Sequence, residues 1–320
     1  MDILFITSSR IGDGVLSFGL LDYLSGKYPD AKFTIGCGPL VVPLLEGFTP
    51  AERVIPIKKQ KYNKHWLEFL MAVKGKKYDI VVDLRNSAVS RMVRAKQRYV
   101  FGNYVDKSRH KVEQNASVLK LTEPPAPKLW FSDAQIKKAT EFIPDGGSVL
   151  GVGPTANWIG KTWPADRFVD IVQWLTQEGS LMAGARVAVF AAPGEEPAAK
   201  EVLASIPEDK AIDLIAKTDP GLAAACLSRC DFYLGNDSGL MHCAAASGVP
   251  TFGVFGPSYP HIYRPWGEHT AYARTPETFD ELIDFEGYDT KTCGCLMETL
   301  TVDAVKEGIE KSWPKITASS

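Results

Sequence analysis

The passage Leu234-Gly235-Asn236-Asp237-Ser238-Gly239-Leu240-Met241-His242-Cys243-Ala244-Ala245-Ala246-Ser247-Gly248-Val249-Pro250 combines the groups that an anionic ligand needs. An apolar strand ends at Gly235, and a helix of small residues starts just past Asp237, with Asp237 or Ser238 as its cap. The N–H groups of Ser238, Gly239 and Leu240 then lack partners within the helix and lie at the positive end of its dipole. Such a terminus binds phosphate, and Gly239 allows close approach to the backbone. Read singly, Asp237 is a helix cap and His242 a packed, hydrogen-bonded residue with a supporting role. The constellation as a whole points to a phosphate site.

Other strand ends carry chemistry of the same kind. In Gly153-Pro154-Thr155-Ala156-Asn157-Trp158-Ile159-Gly160-Lys161-Thr162-Trp163-Pro164, Thr155 and Asn157 offer hydrogen bonds and Lys161 a mobile point charge. Pro164 suits the first turn of a following helix. In Ser8-Ser9-Arg10-Ile11-Gly12-Asp13-Gly14-Val15, Gly12 and Gly14 permit a tight turn, and Asp13 alone would be read as an N-cap. Arg10 here, and Arg85 in Asp83-Leu84-Arg85-Asn86, are candidate contacts for an anion. The segment Ala191-Ala192-Pro193-Gly194-Glu195-Glu196 ends in two carboxylates, each also a good first-turn helix residue. Cys293-Gly294-Cys295 has neither the second cysteine pair nor the histidines of a structural zinc site, and no carboxylate cluster suits magnesium. No metal and no cofactor are expected.

Positioning these loops requires strands that alternate with helices. Strands are expected at 2–7, 32–36, 53–57, 79–84 and 98–101, with helices at 15–28, 39–48, 65–74, 88–96 and 133–142. After Pro144-Asp145-Gly146-Gly147 the rhythm restarts, with strands at 148–153, 186–191, 212–215, 231–235 and 251–255. Helices at 165–178, 195–205, 221–229 and 238–247 separate them. Val302, Val305, Ile309 and Trp313, three and four apart, predict a terminal amphipathic helix over 302–313. The fold class is therefore α/β, with two Rossmann-like domains over 1–146 and 147–320.

At 320 residues, 45% hydrophobic and 23% charged, the chain is long enough for two globular cores. No apolar run approaches a membrane span, and the N-terminus reads as a strand rather than a signal peptide. Six cysteines without a secretion signal read as free thiols, so a cytoplasmic location is expected. No Gly-x-Gly-x-x-Gly follows the first strand, which argues against NAD-dependent dehydrogenase chemistry. The net charge of −2 gives no reason to expect nucleic acid as a partner, but it hides a division. Residues 1–145 hold 23 Lys+Arg and 15 Asp+Glu, a balance of +8; the remainder holds 13 and 23, a balance of −10. The basic half fits either solvated faces or a surface for an anionic substrate or an anionic membrane leaflet.

The pattern Asp237-Ser238-Gly239-x-x-His242-x-Ala244-Ala245-Ala246-x-Gly248-x-Pro250, followed by Phe255-Gly256-Pro257-Ser258, resembles the donor-site signature of glycosyltransferase family 9. That family contains the ADP-heptose:lipopolysaccharide heptosyltransferases. The Gly153–Pro164 loop is similar to the family's diphosphate-binding loop, and looser similarity spans the whole chain. The resemblance implies a GT-B fold, two Rossmann-like domains facing a central cleft, with the 302–313 helix packing back toward the N-terminal domain. It implies inverting, metal-independent transfer of a heptose or related sugar from an ADP-sugar to lipopolysaccharide inner core. In that reading the first domain binds the acceptor through Arg10 and Arg85, and Asp13 is the general base. Lys161 is the second catalytic residue. The nucleotide sugar is held by Thr155, Ala156, Asn157, Glu196 (or its neighbour Glu195), Asp237, Ser238, Gly239, Leu240 and His242. The expected partners are ADP-heptose or a similar nucleotide sugar, the anionic lipopolysaccharide core and the inner-membrane surface. The alternatives are a nucleotide-sugar epimerase or hydrolase of the same fold, and a non-catalytic sugar-nucleotide-binding protein.

Overall fold

Runs such as Ile3-Leu4-Phe5-Ile6 and Val149-Leu150-Gly151-Val152 are apolar on both strand faces, which suits strands covered by helices on either side. The computed structural model describes residues 1–318. Two compact units divide the chain at Asp133/Ala134.

The first unit comprises β1 (Asp2–Ile6), α1 (Ile11–Val15), α2 (Phe18–Lys27), β2 (Lys32–Cys37), β3 (Ala51–Pro56) and α3 (Lys64–Val73). It continues with β4 (Lys77–Asp83), α4 (Val89–Met92), β5 (Arg94–Val100) and α5 (Lys111–Val118). All its strands are parallel, in the order β3-β2-β1-β4-β5. Succession reverses between β1 and β4, and a doubly wound sheet binds ligands beyond the carboxyl ends of the strands at such a point.

Three stretches depart from the helices expected of them. The 15–28 helix breaks at Leu16–Ser17, because the Ser17 hydroxyl donates to Gly14 O (2.6 Å) and competes with the helical ladder. The 39–48 stretch holds only a 3-10 turn, Val42–Leu45, where Pro43 contributes no N–H. The 88–96 stretch is helical only to Met92; the extended strand β5 follows. Arg94, Lys96 and Arg98 alternate with Ala95, Gln97 and Tyr99, a period of two that suits a charged edge strand.

The second unit comprises α6 (Asp133–Phe142), β6 (Val149–Gly153), α7 (Ala165–Thr176), β7 (Arg186–Ala191), α8 (Glu196–Ala204), β8 (Ala211–Ile215) and α9 (Pro220–Leu227). There follow β9 (Phe232–Asn236), α10 (Gly239–Ala246), β10 (Thr251–Phe255), α11 (Pro260–Tyr263), β11 (Thr270–Arg274), α12 (Phe279–Ile283) and α13 (Val302–Ile316). Its parallel sheet runs β11-β10-β9-β6-β7-β8 and reverses between β6 and β9. Helix α6 begins this unit, ahead of the turn at 144–147. Arg229 explains the attachment, because its Nε donates to Ile143 O (2.6 Å) and its guanidinium pairs with Asp145. The apolar face of α13 is taken up by the second unit's own core: Val305, Ile309 and Ile316 are fully buried there, and Trp313 meets Phe232 edge to face.

Candidate active site

In the second unit, the loops after β6 and β9 flank the reversal point. Lys161 Nζ meets Asp237 Oδ2 at 2.5 Å across it; the Asp237 side chain is only 7% exposed. Main-chain bonds fix both ends of this pair. The Trp163 N–H donates to Asn236 Oδ1 (3.0 Å), and the buried Trp163 indole donates to Leu300 O (2.8 Å). The Asp237 N–H donates to Val254 O (3.1 Å). The Lys161 loop is also strapped to a later segment. The Trp158 indole N–H reaches Thr290 O (2.7 Å), the Leu296 N–H reaches Gly160 O (3.2 Å), and the Cys295 thiol reaches Thr162 O (3.2 Å).

Ser238 is the N-cap of α10 but makes no side-chain capping bond, so the first-turn N–H groups of this helix stay free for a ligand. Among the described residues, the Ser258 hydroxyl and the Asn236 amide nitrogen are buried without a hydrogen-bond partner, while the buried Tyr233 and Ser238 hydroxyls have only each other. All four belong to β9 or to the loops after β9 and β10. Buried polar groups are ordinarily satisfied, so a cluster of orphans marks a place where a ligand completes the network. Burial pushes the Tyr233 phenol well above its usual range, with the Ser238 hydroxyl beside it opposing the shift.

Gly153 and Gly235 make room for that phenol, since a Cβ on either would overlap the Tyr233 oxygen. Gly153→Ala is therefore expected to destabilise the protein by about 1–3 kcal/mol, the usual penalty of overpacking. In a Tyr233→Phe background most of that loss should vanish. Denaturant midpoints of the two single variants and the double variant check this, and additive losses would refute it.

The remaining candidate residues of the second unit divide. The Thr155 hydroxyl is buried and donates to Glu195 Oε2 (2.7 Å). Glu196 instead accepts the Gly194 N–H (3.0 Å) within its own loop, and that bond holds its carboxyl below the usual range. Glu195 is thus the carboxylate joined to the β6 loop. Ala156 is buried, Asn157 is exposed, Gly239 and Leu240 are half-buried, and His242 is buried in α10. Tyr233, Asn236 and Ser258 were not singled out from sequence, although Asn236 lay inside the Leu234–Pro250 passage and Ser258 inside the family-like pattern.

In the first unit, the loops after β1 and β4 carry Asp13 and Arg85. Helix α1 starts early, with Arg10 as N-cap, so Asp13 lies within its first turn instead of capping it. The Ser8 hydroxyl is 3.5 Å from Asp13 Oδ2 and accepts the Arg10 N–H at 3.2 Å. Arg10 itself is exposed. Asp83, fully buried, accepts from the Arg85 N–H (2.8 Å), the Ser87 N–H (2.8 Å) and the Ser87 hydroxyl (2.7 Å). That network shapes the turn presenting Arg85, whose guanidinium lies over the Trp66 ring (6.0 Å).

Lys111, at the start of α5, joins this group. Burial lowers its pKa; the Asp13 carboxylate opposes the shift, while Lys107 and Arg85 add to it. Its ammonium lies 4.8 Å from the Phe101 ring centroid. Sequence reading placed Lys111 only in a basic run. A half-buried lysine at a helix N-terminus, where the dipole disfavours a cation, is recognisable only from its neighbours.

All six cysteines are free; burial pushes the Cys37, Cys226 and Cys243 thiols up to about 12. Among the described residues no three His, Cys, Asp or Glu side chains gather as metal ligands, and no helix is long and apolar enough to cross a membrane.

Comparison with known proteins gives this geometry a context. The model of "Glycosyltransferase family 9 (heptosyltransferase)" matches residues 66–286. Lipooligosaccharide heptosyltransferase 2 of Haemophilus influenzae is 23% identical over 314 residues, covering 87% of this chain and 89% of that protein. The family 9 glycosyl transferase structure from Veillonella parvula superposes with a TM-score of 0.77 at 20% identity, covering 97% of this chain and 96% of that one. An Escherichia coli heptosyltransferase solved with ADP has a TM-score of 0.71 at 21% identity, covering 97% and 99%. These likenesses show a fold of the GT-B class, two α/β units each built on a parallel sheet.

Proposed function

This chain belongs to glycosyltransferase family 9 (heptosyltransferase), and we propose that it transfers a heptose or related sugar from an ADP-sugar to lipopolysaccharide inner core. One observation carries the donor reading. Lys161 and the free first-turn amides of α10 meet where the second sheet reverses, and two buried partnerless polar atoms, Asn236 Nδ2 and Ser258 Oγ, lie on β9 and in the loop after β10. Such a site offers several donors and one cation to a group rich in acceptor oxygens, and a diphosphate is that group. The relatives named for lipooligosaccharide heptose transfer, and the related enzyme solved with ADP, support the choice of heptose and adenine nucleotide.

In the proposed reaction an acceptor hydroxyl attacks the anomeric carbon and its proton passes to Asp13. The bond from that carbon to the diphosphate oxygen breaks, and ADP departs with the electron pair. Lys161, the Thr155 hydroxyl and the Ser238–Leu240 amides stabilise the charge that grows on the leaving group. Attack opposite the leaving group inverts the anomeric configuration. The first unit, with Arg10, Arg85 and Lys111, meets the anionic acceptor, which places its work at the inner-membrane surface. Asp237 orients Lys161 and offsets its charge until the donor arrives.

Thermal unfolding with ADP-, UDP-, GDP- and CMP-linked sugars tests the donor. ADP and ADP-heptose are expected to raise the melting temperature by several degrees at concentrations far above Kd, and the others to leave it unchanged. A selective shift with a UDP-sugar would overturn the donor assignment. Turnover of ADP-heptose that is indifferent to acceptor would favour hydrolysis or epimerisation instead.

A further inference from the structure

Helix α3 has two faces of different character. His65, Phe69, Leu70 and Val73 are buried toward the sheet, and the last three pack with Val89 and Val93 beside α4. On the other side, Leu67 is 62% exposed and Met71 56%. Neither belongs to the core beneath. Lys64, Leu67, Met71 and Lys74 follow one another at spacings of three, four and three, which aligns them along a single stripe with a lysine at each end. Met92 on α4 is 63% exposed, and Tyr62, just before α3, is 92% exposed. Exposed apolar side chains gathered on neighbouring elements mark an interaction surface more often than chance exposure does.

The charge around this stripe is mostly positive, with Glu68 its one acid on α3. Lys58, Lys59 and Lys61 precede it, and Arg91 and Arg94 bracket Met92. From Leu84 to Val105 the sequence holds no acid at all. The single acid of α3, Glu68, accepts a hydrogen bond from Gln60 Nε2 (2.7 Å). Among the described residues, Lys58, Lys59, Lys61, Lys64, Lys74 and Arg94 take part in no ion pair. Other lysines of the same sheet are neutralised, as Lys76 is by Asp2 and Glu52, and Lys96 by Asp79.

We propose that the Lys64-Leu67-Met71-Lys74 stripe of α3, with Met92 and Tyr62 beside it, is the surface by which this protein docks on an anionic lipid bilayer. Leu67, Met71 and Met92 enter the boundary between headgroups and acyl chains, and the lysines extend along their own stems to lipid phosphates. Apolar side chains framed by unpaired cations match a bilayer better than they match nucleic acid, whose surface offers phosphates but no hydrocarbon at that depth. The inference rests on the reading of a membrane-borne acceptor for its choice of partner, and on α3 and α4 alone for its residues.

Co-sedimentation of the full chain tests it, using phosphatidylethanolamine/phosphatidylglycerol vesicles against phosphatidylcholine vesicles. The wild type is expected to bind the anionic vesicles, to leave them as salt is raised, and to ignore phosphatidylcholine. Leu67→Ser with Met71→Ser should weaken binding about tenfold or more. Lys64→Gln with Lys74→Gln should weaken it about 25-fold, at roughly fivefold for each charge removed. Both double variants should keep the wild-type melting temperature and ADP affinity, so a loss of binding is not a loss of fold. Wild-type protein that treats the two vesicles alike, or a Leu67/Met71 variant that binds as wild type does, would overturn the proposal. So would light scattering that shows a dimer dissociated by that variant, because the face would then join two copies of the chain. Failure of the catalytic reading has a different signature, intact vesicle binding without sugar transfer.

Discussion

Asp13→Asn is expected to slow sugar transfer by about 10²–10⁴-fold, the usual contribution of a positioned general base, while ADP binds with wild-type affinity. The two readouts separate because Asp13 lies in the first unit and the proposed diphosphate site in the second. Asparagine keeps the shape of the side chain and its contact with the Ser8 hydroxyl but cannot take up a proton. A proton transferred late in the reaction, when the acceptor hydroxyl is already bonding to carbon, requires placement more than basicity. Retention of more than about a tenth of wild-type transfer by Asp13→Asn would remove the residue from that role.

Lys161→Met should act on two quantities that a further substitution can pull apart. Removing the ammonium leaves the Asp237 carboxylate, largely buried, with no cation beside it. Breaking a buried pair from one side costs about 3–5 kcal/mol; Lys161 is itself a quarter exposed, so a loss of about 1–3 kcal/mol is expected here. Transfer should fall by about 10²–10³-fold, the penalty of losing one group that stabilises developing negative charge. Asp237→Asn added to Lys161→Met removes the stranded charge and should recover most of the stability without recovering transfer. Denaturant unfolding and single-turnover transfer, measured on the single and double variants, give the comparison. If transfer recovers together with stability, Lys161 serves the fold and not the leaving group.

Legibility followed local pattern. Strands β7 and β10 and helix α6 lie where the sequence places them, because each is an apolar or periodic run ended by turn residues. Helix α5 escaped. Its buried positions include Gln114 and Asn115, and the periodicity of apolar residues is blind to polar side chains satisfied by main chain. Asn115 Nδ2 donates to Leu16 O (3.0 Å) and Gln114 Nε2 to Arg109 O (2.8 Å), so the helix is held by bonds that pattern does not announce. Strand β11 escaped for the opposite reason, since Thr270–Arg274 at the sheet edge is half exposed and short of apolar residues. The start of charged β5, Arg94–Lys96, was read as helix and its end as strand, because lysines and arginines serve either element, and only its place at the edge decides between them.

The candidate loops of the second unit stand out in the sequence as separate motifs, since glycine, hydroxyl and lysine positions near strand ends carry their chemistry in their type. Their meeting was not. Lys161 and Asp237 are far apart along the chain, and the parallel order that sets β6 beside β9 brings them together. Glu195 and Glu196 were indistinguishable in sequence; one hydrogen bond from Thr155 separates them. Lys111 depends on burial, on Asp13 and on Arg85, three relations that exist only after folding.

The two glycines that face the Tyr233 hydroxyl also constrain how this sequence can drift. Alanine at position 153 costs stability while the phenol oxygen is present and costs less once phenylalanine has replaced it, although the ring carbon would still lie 3.0 Å from the new Cβ. The two exchanges are therefore easier in one order than in the other. Spatial overlap of one oxygen with two missing methyl groups thus becomes a direction in sequence history.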